Sequence, residues 1–384
     1  MPDRTRKNII AAASTVVVKV GTNVLADSSG CLDRVRIRSL TDQVCRIRTT
    51  GRRVVLVSSG AIGAGVGRLG LARRPSDLPH LQACAAVGQS ALMQLYQEAL
   101  APHAIHPAQI LLTAGDFDTR SRYLNVRNTI HTLFEYNCLP VINENDTVSV
   151  AEIKFGDNDH LAAMVANLLQ APLLVLLTNV DGLYSADPGS DPAAELVRTV
   201  PHIDKAVADM AGAGRSALGT GGMRSKLRAA RLATAAGGAV VMANGSTDQI
   251  LDSIFAGEQV GTLFLPHGDS IPAWKRWLGF TARPKGTVLV DAGAKRAVVD
   301  QGKSLLPVGV RGVTGTFGKG DVLSVCDSDG IEFARGLTNY SSGDSEKIQG
   351  LTTDQVVSLL GKVPYVELIH RDNLAVTDRA AHPS

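Results

Sequence analysis

The sequence predicts an α/β protein: a three-layer αβα sandwich on a mainly parallel sheet, followed by a small β-rich domain. Three observations carry that expectation. Up to about residue 265, short and near-continuous apolar runs alternate with segments of helical periodicity. The runs end in polar or glycine-bearing turns, and after Pro284 the composition shifts toward Val, Gly and turn clusters. Apolar runs without polar alternation suit strands covered on both faces, and such strands pair in parallel through helical crossovers. At 384 residues the chain exceeds what one hydrophobic core organises, so two unequal domains are expected.

The first strand is read at Val16-Val-Val-Lys-Val20, β-branched and closed by Lys19 and Gly21. Further strands follow at Val54–Val57, Gln109–Leu112, Leu139–Ile142, Leu173–Leu177 and Ala239–Met242. Between them, Gln89–Leu100 places Leu92, Leu95, Tyr96 and Ala99 at helical spacing, and Asp159–Gln170 does so with Leu161, Met164, Val165 and Leu168. Past Pro284, Thr287–Val290 and Asp321–Val325 read as strands and Asp327-Ser-Asp-Gly330 as a turn. Trp274-Lys-Arg-Trp277, which holds both tryptophans, reads as an amphipathic spacer packed between domains. The resulting division is an α/β domain at 14–265, a linker at 266–283, a β-rich domain at 284–362 and a tail at 363–384.

Composition narrows the function classes. A net charge of +3 over 39 basic and 36 acidic residues creates no strong field for nucleic acid or a membrane surface, while leaving small anions as ligands. The five cysteines are scattered and include no C-x-x-C pair, which argues against a disulfide framework or zinc knuckle and for the reducing cytoplasm. Arg4, Arg6 and Lys7 before the apolar run from Ile9 resemble a secretory leader, but that run closes as a β-branched strand ending in a lysine. No apolar run approaches the ~20 residues that cross a bilayer, so no membrane association is expected.

The chemistry-bearing residues cluster after the strands. Leu177-Thr-Asn-Val-Asp-Gly-Leu-Tyr-Ser-Ala-Asp-Pro188 is an apolar run ending in a polar turn, and Gly219-Thr-Gly-Gly-Met-Arg-Ser-Lys226 is a glycine-rich turn opening a basic helix near Met223. Together they are how an α/β sheet presents a nucleotide's phosphate tail. Lys19 sits where a cation meets a transferring phosphoryl group, and Lys226 supplies a second one. Taken singly, each has a plainer explanation: Lys19 as the solvated flank of an edge strand, Lys226 as one of several basic residues on a wet helix face. Gly51 to Gly67 is a strand running into small residues, where Ser58 and Ser59 line an anion pocket. Its Gly65-Val-Gly67-Arg-Leu-Gly70 matches a dinucleotide pattern but begins too far beyond the strand, so close helix packing better explains those glycines. The phosphate-loop pattern G-x-x-x-x-G-K-[ST] occurs nowhere.

Asn143-Glu-Asn-Asp-Thr147 and Gly156-Asp-Asn-Asp-His160 bring polar side chains to the same sheet edge and suit a zwitterionic substrate, with carboxylates and carboxamides for an ammonium and amides for a carboxylate. Helix capping by Asp157 and a simple turn at Asn143–Asp146 account for only part of this set. His160 reads as a structural residue of the first helical turn.

In this order, Val18-Lys19-Val-Gly-Thr22, Ser58-Ser-Gly-Ala-Ile62, Ala86-Val-Gly-Gln89, Val141-Ile-Asn-Glu-Asn-Asp146, Phe155-Gly-Asp-Asn-Asp159, Asp181-Gly-Leu-Tyr184 and Leu218-Gly-Thr-Gly-Gly-Met223 resemble the glutamate 5-kinases of the amino acid kinase family, over residues 14 to 370. The tail beyond Pro284 resembles a PUA domain, a module that binds RNA in other proteins. The resemblance implies ATP-dependent phosphorylation of the γ-carboxylate of L-glutamate at the start of proline synthesis, with Mg2+, feedback inhibition by proline and a homo-oligomer. It implies that Lys19 and Lys226 flank the phosphoryl group and that Asp159 holds both lysines. It implies Ser59, Asp146 and Asn158 as glutamate ligands, with Asn143 and Asp157 nearby. ATP would be held by Lys19, Thr178, Asn179 and the turn of Thr220, Gly221, Gly222, Met223, Arg224, Ser225 and Lys226. Where the family pattern has Thr-Asp, this chain has Thr178-Asn179, which loses a charge and keeps an acceptor.

Other amino acid kinases, such as acetylglutamate kinase, aspartokinase or a uridylate kinase, would share the lysines without this tail. An RNA-binding protein predicts a basic, aromatic-studded tail; here Arg283, Lys285, Lys295, Arg296 and Lys303 are offset by Asp291, Asp300 and Asp321, which favours a regulatory or assembly role and leaves RNA as a secondary partner. A nucleotide sensor without turnover fits poorly with both lysines present.

Overall fold

The computed structural model describes residues 2–27, 31–118, 120–149, 158–211, 222–267, 275, 277–361 and 365–377. It divides into two compact units, residues 1–269 and 270–384.

The first unit is built on an eight-stranded sheet. Its strands are β1 (Thr15–Val20), β2 (Arg53–Val57), β3 (Pro107–Leu112), β4 (Leu139–Glu144), β5 (Leu173–Thr178), β6 (Thr199–Val200), β7 (Ala239–Asn244) and β8 (Thr262–Phe264), in the order β3-β4-β2-β1-β5-β7-β8-β6. From β3 to β7 every neighbouring pair is parallel, and only β7 against β8 runs antiparallel. The predicted apolar runs are these strands: every residue of β4 and β5 is buried, as two covered faces demand. The strand read to Ile142 continues through Asn143 and Glu144, so two polar residues end a fully buried strand.

Alternation along β1 sorts its side chains between two layers. Val16, Val18 and Val20 enter a core with Ile37, Leu40 and Val44 of the helix Arg34–Thr49 and Leu92 and Tyr96 of the helix Leu78–Leu100. Val17 and Lys19 therefore face the opposite layer, where the helix Asn158–Leu169 packs across β1 and β5. That helix is buried almost all round, and Met223–Ala235 packs against it from outside. Chain order diverges on either side of β1, toward β2 and β5, which marks the sheet's carboxyl edge there as the switch point where ligands bind.

The glycines near residue 65 serve helix packing. A Cβ on Gly65 would lie 1.9 Å from the Cys84 carbonyl oxygen and one on Gly88 1.8 Å from that of Ala61, so the helices Ala61–Arg68 and Leu78–Leu100 cross backbone to backbone.

The second unit holds a five-stranded sheet of β9 (Gly286–Val290), β10 (Val310–Gly315), β11 (Val322–Cys326), β12 (Glu332–Thr338) and β13 (Ile369–Val376), ordered β10-β9-β11-β12-β13. Its core gathers Val288, Val290, Leu323, Val325, Phe333 and Ile348. It also carries three helices that its Val and Gly content did not announce: Ala292–Val299, Ser342–Ile348 and Thr353–Leu360, begun by the caps Asp291, Ser341 and Thr352. Trp277 is 3% exposed and falls within this unit, while Trp274 lies outside the described residues.

Candidate active site

The carboxyl ends of β1, β2, β4, β5 and β7 carry the polar side chains of the site, and one fully buried carboxylate organises half of them. Asp159, in the first turn of the helix Asn158–Leu169, is 0% exposed. Its Oδ1 pairs with Lys19 Nζ from β1, and its Oδ2 accepts from Lys226 Nζ at 3.1 Å. Ser225 Oγ approaches the same oxygen at 3.5 Å. Isolated buried charges are prohibitively costly, and here two ammonium groups meet one buried carboxylate.

The plain explanations for the lysines fail on position. Lys19 lies on a central strand between β2 and β5 and is 4% exposed, whereas a solvated edge would leave it in water. Lys226 is 7% exposed while Arg224, Arg228 and Arg231 of the same helix are exposed. Burial thus singles it out. Gly21 follows β1, and a Cβ there would stand 3.3 Å from the Leu177 carbonyl oxygen and 3.6 Å from Lys19 Nζ, so the chain passes close to both. His160, next to Asp159, is held below its ordinary pKa by burial and by the Arg228 guanidinium, which keeps the imidazole neutral near pH 7.

The second half is an amide cluster. Asn158 Nδ2 has three acceptors within reach, the Ser58 carbonyl at 2.8 Å, Ser59 Oγ at 2.9 Å and Asn143 Oδ1 at 2.9 Å, which share its two hydrogens. Asn143, 2% exposed at the end of β4, gives its own Nδ2 to Gln89 Oε1 at 2.9 Å. Ser58 Oγ is 2.9 Å from Tyr96 OH, whose pKa burial pushes up to about 12 despite the Ser58 contact. Glu144 accepts from Ser149 Oγ at 3.0 Å, and Gln82 Nε2 donates to the Ser149 carbonyl at 3.2 Å. Asp146 is half-buried in the turn after β4. Asn158 belongs to this half and Asp159 to the other.

The turns that the sequence assigns to the nucleotide are described only in part. Thr178 ends β5 at 4% exposure and donates to Asn179 Oδ1 at 3.3 Å, while Asn179 itself is exposed. Gly222 caps the helix Met223–Ala235 in extended conformation, leaving first-turn N–H groups of Met223 and Arg224 without intrahelical acceptors, as any helix start does. Asp157, Thr220 and Gly221 lie outside the described residues. Asp181, absent from the predicted site residues, accepts from Asn244 Nδ2 at 2.9 Å and Tyr184 OH at 3.1 Å beside this turn. Among the described residues no group of three or more His, Cys, Asp or Glu converges to hold a metal ion, and no helix is long and apolar enough to cross a membrane.

Comparison with known proteins decides the kinship. Residues 14–244 match the amino acid kinase family and residues 286–360 the PUA domain. Among curated proteins, the glutamate 5-kinase of Trichlorobacter lovleyi is 46% identical over 371 residues, 97% of this chain and 99% of the relative. The glutamate 5-kinase of Pelobacter propionicus is 44% identical over 371 residues, covering 97% and 100%, and that of Ectopseudomonas mendocina 47% over 365 residues, covering 95% and 98%. The chain belongs to the glutamate 5-kinases of the amino acid kinase family. Such full coverage takes in both units, so the five-stranded tail is part of the same relationship and is a PUA domain. As a glutamate 5-kinase the chain is a phosphotransferase.

Two contributors escaped the sequence reading as site residues. Gln89 stood inside a recognised motif without a role; its signal is a carboxamide on the apolar stripe formed by Leu92 and Tyr96, and it is 7% exposed. Tyr96 was counted as a core aromatic, and nothing in the sequence revealed its hydroxyl contact with Ser58.

Proposed function

We propose that the enzyme transfers the γ-phosphoryl group of ATP to the γ-carboxylate of L-glutamate, giving L-glutamyl 5-phosphate for proline synthesis. The observation that carries this reading is the pair of buried lysines on Asp159 lying one residue from an amide cluster suited to an amino acid. In-line transfer between two anions needs neutralisation and alignment more than a general base, because a carboxylate is already a nucleophile. Lys19 and Lys226 spread positive charge over the transferring oxygens, and Asp159 keeps both ammonium groups in register.

Thr178, Asn179 and the Thr220–Lys226 turn hold ATP, with the helix start at Gly222–Met223 turned to its phosphates. Mg2+, when bound, would come with the nucleotide's phosphates and add further neutralisation of their charge. Ser59, Asn143, Asp146, Asp157 and Asn158 receive the amino acid. Proline acts as feedback inhibitor, and the enzyme works as a homo-oligomer in the cytoplasm. The PUA domain serves regulation or assembly, with RNA as a secondary partner.

The test is the trapping of product by hydroxylamine in the presence of ATP and Mg2+, run with L-glutamate, L-aspartate and N-acetylglutamate. The γ-hydroxamate is expected from glutamate alone. Its absence, or equal yields from the other acids, sinks the assignment.

A further inference from the structure

Three carboxamides lie in a row in the amino-acid half of the site, and backbone atoms fix which way each one points. Asn143 Oδ1 accepts from the Glu144 backbone N–H at 2.9 Å, and Asn158 Nδ2 donates to the Ser58 carbonyl at 2.8 Å. Neither backbone group can change its role, so turning either amide over would set donor against donor or acceptor against acceptor. Asn143 Oδ1 and Asn158 Nδ2 consequently meet at 2.9 Å, and the nitrogen of Asn143 must find an acceptor on its far side. Gln89 Oε1 supplies it at 2.9 Å.

This polarity leaves one atom over at each end of the row. Among the described residues, Asn158 Oδ1 and Gln89 Nε2 are both buried with no hydrogen-bond partner. A buried unpaired polar atom is destabilising, and its retention calls for an explanation. For Gln89 the explanation is that the residue is there for its oxygen. For Asn158 it is that the missing donor comes with the substrate.

We propose that Gln89 is a positioning residue for the amino-acid substrate. By holding Asn143 it fixes Asn158 with its carbonyl oxygen as a free acceptor, and the cationic donor that oxygen receives is the substrate's ammonium group. The helix Leu78–Leu100 delivers Gln89 at a fixed height because Gly88, one residue earlier, rests directly on the backbone of Ala61. The inference rests on the proposed action on glutamate and assigns its amino-group selectivity to a residue outside direct contact.

The experiment compares Gln89→Met, which removes the acceptor, with Gln89→Glu, which keeps one in either protonation state. Steady-state kinetics give KM for glutamate and for ATP, and the inhibition constant of glutarate, the same diacid without an ammonium. In Gln89→Met the KM for glutamate is expected to rise roughly tenfold with the KM for ATP unchanged, and the advantage of glutamate over glutarate to shrink by roughly the same factor. Gln89→Glu is expected to keep the wild-type advantage. A Met variant that retains full discrimination overturns the proposal, however its thermal midpoint moves, since a purely structural role predicts that result. Should the Met variant fail to fold, loss of discrimination in folded Gln89→Glu overturns it instead and retention supports it. Wild-type enzyme that makes no γ-hydroxamate from glutamate would defeat the proposed function, a failure separate from either outcome.

Discussion

Both units contain lysine–aspartate pairs of similar geometry, and they differ in what surrounds them. In the second unit Lys285 Nζ stands 2.8 Å from Asp321 and Lys295 Nζ 2.8 Å from Asp327, with the lysines 63% and 40% exposed. In the first, Lys19 and Lys226 converge on Asp159 with side chains 5%, 9% and 0% exposed. Water screens the outer pairs until little net energy is left. The inner cluster sits where each charge keeps most of its field. The distance between partners is therefore a poor guide to importance; burial and charge balance are the better one.

The sharpest way to break this contrast is Asp159→Ala, which leaves two buried ammonium groups without their carboxylate. It is expected to destabilise the first unit by about 3–5 kcal/mol and to abolish measurable turnover. Calorimetry and the hydroxamate assay check it, and a near-native thermal midpoint would show that the cluster is wetter than its geometry says. Next in size, Lys226→Ala and Lys19→Ala should each lower kcat by about a hundred- to a thousandfold while moving the KM for glutamate far less. Wild-type turnover in either variant removes that lysine from the reaction.

A smaller effect is expected at the neutral counterpart of the cluster. Tyr96→Phe deletes the hydroxyl that meets Ser58 Oγ at 2.9 Å in a fully buried setting and should cost about 1–2 kcal/mol, read from urea unfolding. No loss would mean that Ser58 finds another partner.

Smallest of all, Lys285→Ala should shift the thermal midpoint by less than about 2 °C. The outer carboxylates should announce themselves through acid instead. The Ala294 backbone N–H holds Asp291 below its ordinary pKa, aided by the Arg311 guanidinium, and the Lys295 ammonium does the same for Asp327. A carboxylate depressed on folding stabilises above its unfolded pKa and loses that contribution as pH falls toward the folded value. Unfolding of the second unit should therefore become easier below about pH 4 and be flat above about pH 5. A midpoint that rises on acidification would contradict both assignments.

The parallel sheet was legible because β1, β4, β5 and β7 are apolar without alternation, a pattern few other structures demand. Lys19 and Lys226 were legible as candidates because each closes or opens an element beside glycine. That they share one carboxylate came from resemblance, since Asp159 lies 140 residues from Lys19 and 67 from Lys226 in the chain and no local rule relates them. Gln89 and Tyr96 stayed hidden for a different reason: on a helix stripe that is otherwise apolar, a single polar atom carries no periodic signal. The helices of the second unit were missed because Ala292–Val299, at eight residues, offers too few turns for its periodicity to stand out from a Val-rich background.

Asn158 and Asp159 are consecutive residues. Through its amide the first is tied to β2 and β4, and through its carboxylate the second is tied to β1 and the helix Met223–Ala235. Under the proposed function, the acceptor and the donor of the phosphoryl group are thus surveyed from two reference points a single peptide unit apart. Any shift of that helix carries both together, so the error in their separation stays small even when the helix as a whole moves.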